Sequence, residues 1–186
     1  MKSKINLIKS SALLILALSI IILTSCGGQN EKSSNQKGTY DGTNSCELIN
    51  TDDIRSVFNL SNTVEVEQTK KHGEICYYKW RSVENNLDYS VRFAFARWDK
   101  KSDEEVNKTW EKQNESTYNK HNMQVVPGVG DKASWSEYEK GQLRVAAKGH
   151  FFYISIYVSP KENDPMSTDE KIEKTSTLAK QVIQNI

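Results

Sequence analysis

Several kinds of chemistry are short in this chain of 186 residues. Three cysteines are too few for a cysteine-dense mini-scaffold or a four-thiolate zinc site. Neither charge sign is in excess: 25 basic and 24 acidic residues leave a net charge of +1. A nucleic-acid binder would normally carry a basic surplus, so that class is set aside. The hydrophobic share, 37%, is low for a compact domain and points to polar sequence outside the fold. Only one long apolar run exists, and it lies at the beginning. A chain of this length holds one domain, with or without a tail.

The apolar run marks an export signal. Lys2, Lys4 and Lys9 form a positive leader, and from Ala12 to Leu23 every residue but Ser19 is apolar. A membrane-spanning helix needs about 20 residues, so this run has the length of a signal-peptide core instead. It ends Leu23-Thr24-Ser25-Cys26-Gly27-Gly28, which resembles a bacterial lipobox. That resemblance implies a signal peptide over 1–25, cleavage before Cys26 and diacylation of its sulfur. An ordinary cleavable signal with an incidental cysteine is the alternative. Losing three lysines and no acids takes the charge from +1 to −2, so lipid rather than charge would hold the body at a membrane. Two acyl chains give stable attachment where one does not. The expected location is the cell envelope, on the extracytoplasmic side of the outer or cytoplasmic membrane.

Residues 26–45 then read as the lipidated cysteine and a flexible tether, with Tyr40 its only large apolar residue. Gly, Ser, Asn, Gln and Lys cannot bury enough surface to offset chain entropy. A single domain is expected over 46–186. Its two cysteines, Cys46 and Cys76, face an oxidising compartment and read as a disulfide. A free thiol pair or a redox site are the alternatives, although a redox site normally uses close C-x-x-C spacing.

Periodicity supplies the elements. Asn50 or Thr51 can cap a helix whose Ile54, Val57 and Phe58 share one face. Val64 and Val66 alternate with glutamates, as in a half-buried strand, and 75–80 forms a second strand. Over 87–98, Leu87, Tyr89, Val91, Phe93 and Phe95 point one way, while Asp88, Ser90, Arg92, Ala94 and Ala96 point the other. Such alternation indicates an antiparallel sheet with only one face fully packed. Ser102–Glu105 is a capping box. The helix it starts runs to about Tyr118 and should lie largely exposed, with Val106 and Trp110 its main apolar residues. Pro127–Asp131 is a turn, followed by strands over 132–138, 142–148 and 151–159. Ser167–Glu170 is a second capping box. Ile172, Thr175, Ala179, Val182, Ile183 and Ile186 trace the buried stripe of the last helix. The fold class is α+β, an antiparallel sheet with helices packed mainly on one face. Each half reads strands then helix, a faint echo of two pseudo-repeated halves without residue-level identity.

The search for reaction chemistry returns little. His72, His121 and His150 have no ligand-type neighbour at metal spacing. His72 and His150 adjoin glycines at expected turns, where a polar ring is simply solvated. No G-x-S-x-G or S-x-x-K is present. Gly128-x-Gly130 lacks the ending of a phosphate loop, and Glu162-Asn163-Asp164 lacks EF-hand spacing. Asp103, Glu104 and Glu105 suit the first turn of a helix without any catalytic role. No catalytic residue, metal site or cofactor is therefore assigned. Trp, Tyr and Arg are enriched in binding hot spots. The candidate binding face is accordingly Arg92, Trp98, Tyr153 and Tyr157, against the plainer reading of core or edge packing.

Cys46-x-Leu48-Ile49, Cys76-Tyr77-Tyr78-x-Trp80, Gly128-x-Gly130-Asp131-x-Ala133 and the C-terminal helix occur in this order. Over 46–186 the chain thereby resembles a large family of uncharacterised bacterial lipoproteins. That family is known best from actinobacteria and is similar to the extracytoplasmic sensor domain of a mycobacterial serine/threonine kinase. The resemblance implies an α+β domain with an early-helix-to-strand disulfide, matching Cys46 and Cys76. The kinase-linked relatives carry a second disulfide, which this chain lacks, and no catalytic residues come with the family. The functional expectation is a lipid-anchored, non-catalytic envelope domain that binds a small ligand or a protein partner. The alternatives are an immunity or inhibitor lipoprotein, or an envelope hydrolase with a non-contiguous site.

Overall fold

The computed structural model describes residues 44–71, 74–96 and 100–186. The signal and lipidation readings, with Cys26 and most of the tether, lie outside the described residues, as do His72 and Trp98. The described chain opens with a short 3-10 turn, Ser45–Glu47, and helix α1, Thr51–Phe58. Asn50 caps α1: its side chain accepts from the amides of Asp52 and Asp53, and Asp53 answers with its carboxylate on the Asn50 amide. Strands β1 (Glu67–Lys71), β2 (Ile75–Ser82) and β3 (Leu87–Phe95) follow, then helix α2 (Asp103–Ser116). Strands β4 (Gln124–Val125), β5 (Lys132–Ser136), β6 (Gln142–Ala147) and β7 (His150–Ser159) lead to helix α3 (Thr168–Asn185).

All seven strands form one antiparallel sheet in the order β1-β2-β3-β7-β6-β5-β4. Two meanders, β1–β3 and β4–β7, meet where β3 pairs with β7. The fold is α+β, as the periodicity indicated. Period-two alternation sorts the side chains by face. Val91, Phe93, Ile154 and Leu143 are fully buried on one side, where Phe93 meets Phe152 edge-on at 6.0 Å between centroids. Ile54 of α1 and Leu178, Ala179 and Val182 of α3 close over this apolar face. Thus α1 and α3 share one face, while α2 lies on the other.

The structure differs from the sequence reading in four places. Residues 64–66 are not strand: β1 starts at Glu67, and Val66 and Val64 pack into the core from an irregular segment. Two paired residues, Gln124 and Val125, form a strand too short for periodicity to show. Helix α2 stops at Ser116, followed by a 3-10 turn over Tyr118–Lys120. It is mostly exposed but buries Val106, Trp110 and Asn114, and its Trp110 stacks on Phe151 at 6.5 Å. No repeat of the two halves is shown, and α2 and α3, their counterparts, cover opposite faces.

Cys46 in the first turn and Cys76 on β2 lie at disulfide distance, with Cα atoms 5.4 Å apart. The tie is reinforced by the buried Tyr78 hydroxyl, which donates to the Ile49 carbonyl at 2.6 Å, and by the Gln68 amide, which donates to the Cys46 carbonyl at 3.0 Å. Burial pushes the Tyr78 phenol well above its ordinary range, keeping it a donor. Gly130 shows why the Gly128-x-Gly130 turn takes glycine. Its φ is +60°, and a Cβ there would sit 2.6 Å from the Ala146 carbonyl oxygen.

Candidate binding face

The second face of the sheet is polar, and strand register orders it into rows. One row runs Ser134, Arg144, Tyr153, Ala94, Ile75 from β5 to β2. The next runs Ser155, Arg92, Tyr77, Thr69, and a third runs Tyr157, Ser90, Lys79, Glu67, each from β7 to β1. Three of the four expected face residues, Arg92, Tyr153 and Tyr157, therefore stand together on β3 and β7. Arg92 lies opposite Ser155, between the two tyrosines.

Helix α2 roofs the part of this face that runs from Lys132 on β5 to Phe151 and Tyr153 on β7. Beneath it the Arg144 side chain is wholly buried, with its guanidinium carbon 3.6 Å from the Trp110 ring centroid and 4.1 Å from that of Tyr118. Such a sandwich stabilises a cation through the two ring faces. Nη1 donates to the Gln113 side-chain oxygen at 3.2 Å and Nη2 donates to that of Asn114, while Nε has no protein partner. Burial draws the Arg144 pKa down, and the neighbouring Tyr118, Tyr153 and Glu111 oppose that shift. Gln113 also donates to the Tyr153 hydroxyl at 3.3 Å. Burial raises the pKa of both Tyr118 and Tyr153, so both stay neutral hydroxyls at physiological pH.

Beyond α2 the described residues leave the face open. A trough of about 610 Å³ runs over its far end, lined by Glu65, Glu67, Lys79, Arg81, Asp88, Ser90 and Tyr157. Two ion pairs stand on this face. Arg81 holds Asp88 at 2.8 Å, and Arg92 reaches across to Glu139 in the β5–β6 hairpin at 3.1 Å. Lys79 is exposed, with Glu67 opposite it on β1. This arrangement offers ammonium, guanidinium, carboxylate, hydroxyl and aromatic surface on a rigid floor. It suits recognition by hydrogen bonds, ion pairs and stacking.

The histidines do not join it. The His150 Nδ1 is buried without a partner, and its ring packs on Phe95 at 5.4 Å, so the expectation of a simply solvated ring is corrected. Burial and the Lys100 charge both depress the His150 pKa, and no carboxylate acts on it. His121 packs edge-on to Tyr138 at 5.2 Å. Among the described residues no three His, Cys, Asp or Glu side chains gather as a metal site, and no helix is long and apolar enough to cross a membrane.

Sequence reasoning missed Arg144. Its alternation along β6 was visible, but its burial depends on α2 crossing above it, which only the fold reveals. Compared with family models, curated proteins and solved structures, the chain finds no match.

Proposed function

We propose that this chain is a lipid-anchored, non-catalytic domain of the cell envelope that binds a small ligand or a protein partner on the open half of its polar sheet face. The observation that carries the reading is the half-roof: α2 covers Arg144 and Phe151, and it leaves Tyr157, Lys79 and Ser90 facing a trough of about 610 Å³. The lipobox-like run ending at Cys26 and the paired Cys46 and Cys76 support an envelope location, since disulfides persist in oxidising compartments. The motifs read above as resembling envelope lipoproteins and a kinase sensor domain, Cys76-Tyr77-Tyr78-x-Trp80 among them, are in keeping with a recognition role.

The anchor is tested by fractionation and intact mass. The native chain should carry two or more acyl chains on Cys26 and sediment with membranes, and Cys26→Ala should be released. Unmodified soluble protein would end the reading. Recognition is tested by isolating the full chain from its own envelope beside Lys79→Glu and Tyr157→Ala. A molecule held by the parent chain should be lost from both variants at unchanged thermal stability. Equal retention would move the binding site elsewhere.

A further inference from the structure

Strand β1 lies at one border of the sheet, and its outer edge pairs with no strand among the described residues. Four of its five residues are exposed and Thr69 is half-buried. Such an edge presents backbone donors and acceptors ready to extend the sheet. Its sequence, Glu67-Gln68-Thr69-Lys70-Lys71, is also complementary to itself when read antiparallel. About a two-fold axis through Thr69, Glu67 falls opposite the second copy's Lys71, and Lys71 opposite the second copy's Glu67.

Other registers lose this match. Slipping by two residues one way sets Lys70 against Lys70. Slipping the other way carries Lys70 and Lys71 past the end of the opposing strand. Parallel in-register pairing sets every charge against its like. Opposite charges directly across a pair stabilise it and like charges destabilise it, so the five residues encode one partner orientation.

We propose that β1 pairs with β1 of a second copy of this chain, antiparallel and two-fold about Thr69, joining the two polar faces into one. Glu67, Thr69 and Lys71 lie opposite Lys79, Tyr77 and Ile75 of β2, so all three belong to the polar face. The second copy's Lys71 then stands beside Glu67 at the outer wall of the trough, a place that the described residues of one chain leave open. The row Ser155-Arg92-Tyr77-Thr69 runs on through the axis into its symmetry mate. A two-fold contact of this kind is closed and stops at two copies. It requires neither the lipid anchor nor any bound ligand.

Cysteine cross-linking of the full chain reads the register directly. Opposed Cα atoms at the axis are about 4.5–5.5 Å apart, within disulfide reach. Thr69→Cys should give a covalent dimer on mild oxidation at least tenfold above the parent chain, whose own cysteines report the background. Lys71→Cys alone should not, because its two copies lie about 14 Å apart along the strands. Glu67→Cys mixed with Lys71→Cys should cross-link one to the other. Glu67→Lys should cut the Thr69→Cys yield about tenfold, and adding Lys71→Glu should restore it. A Thr69→Cys yield no higher than background, or equal yields from Thr69→Cys and Lys71→Cys, would overturn the proposal.

Discussion

The two faces of one sheet have been built on opposite terms. On the apolar face, α1 and α3 seal a layer of Val91, Phe93, Ile154 and Leu143, all at 0% exposure. On the polar face, α2 covers only one part among the described residues and holds it with a buried arginine between two aromatic rings. The contrast separates two jobs. Non-directional burial fixes the fold, and directional contacts on the other side leave polar surface exposed.

The sharpest way to break the contrast is to open a cavity on the apolar side. Phe93→Ala should lower stability by about 3–5 kcal/mol in urea titration, because it removes a wholly buried ring and leaves a cavity beside Phe152. Next in size, Cys46→Ala with Cys76→Ala should cost about 3–4 kcal/mol for a loop of separation 30, measured against the oxidised parent. Arg144→Met should cost about 2–3 kcal/mol, as it strands the Gln113 and Asn114 oxygens against the sheet. Arg92→Ala should change stability by less than about 1 kcal/mol, since its partner Glu139 is solvent-exposed. If Arg92→Ala cost as much as Phe93→Ala, the division between the faces would fall.

The smallest effect lies at one end of the apolar face, where His150 packs on Phe95. His150 has a folded-state pKa depressed below 6.5 by burial and by Lys100. Below about pH 6.5 the unfolded chain takes up a proton that the folded chain refuses, so stability falls as pH falls toward the folded pKa. His150→Gln should flatten that part of the pH–stability curve and leave stability above pH 7 unchanged in slope.

How much of this was legible follows from the range of each signal. The 87–95 alternation assigned Phe93 and Arg92 to their faces, because period two is a local property of a strand. The Asn50 and Ser102 caps were legible for the same reason. Leu178, missing from the expected stripe of α3, is wholly buried because the helix presses closely on β6 and β7. The α2 roof over Arg144 depends on a helix crossing strands some 30 residues away in sequence, and no local period encodes that. Val64 and Val66 misled because alternation marks burial, and here an irregular segment buries both.

The clamp at the start of the domain also bears on load. Tension arriving from the preceding chain reaches Cys46 and passes through the sulfur bridge to β2, which is hydrogen-bonded on both edges. In a globule held at its amino end, as proposed above, that path bypasses the first helix.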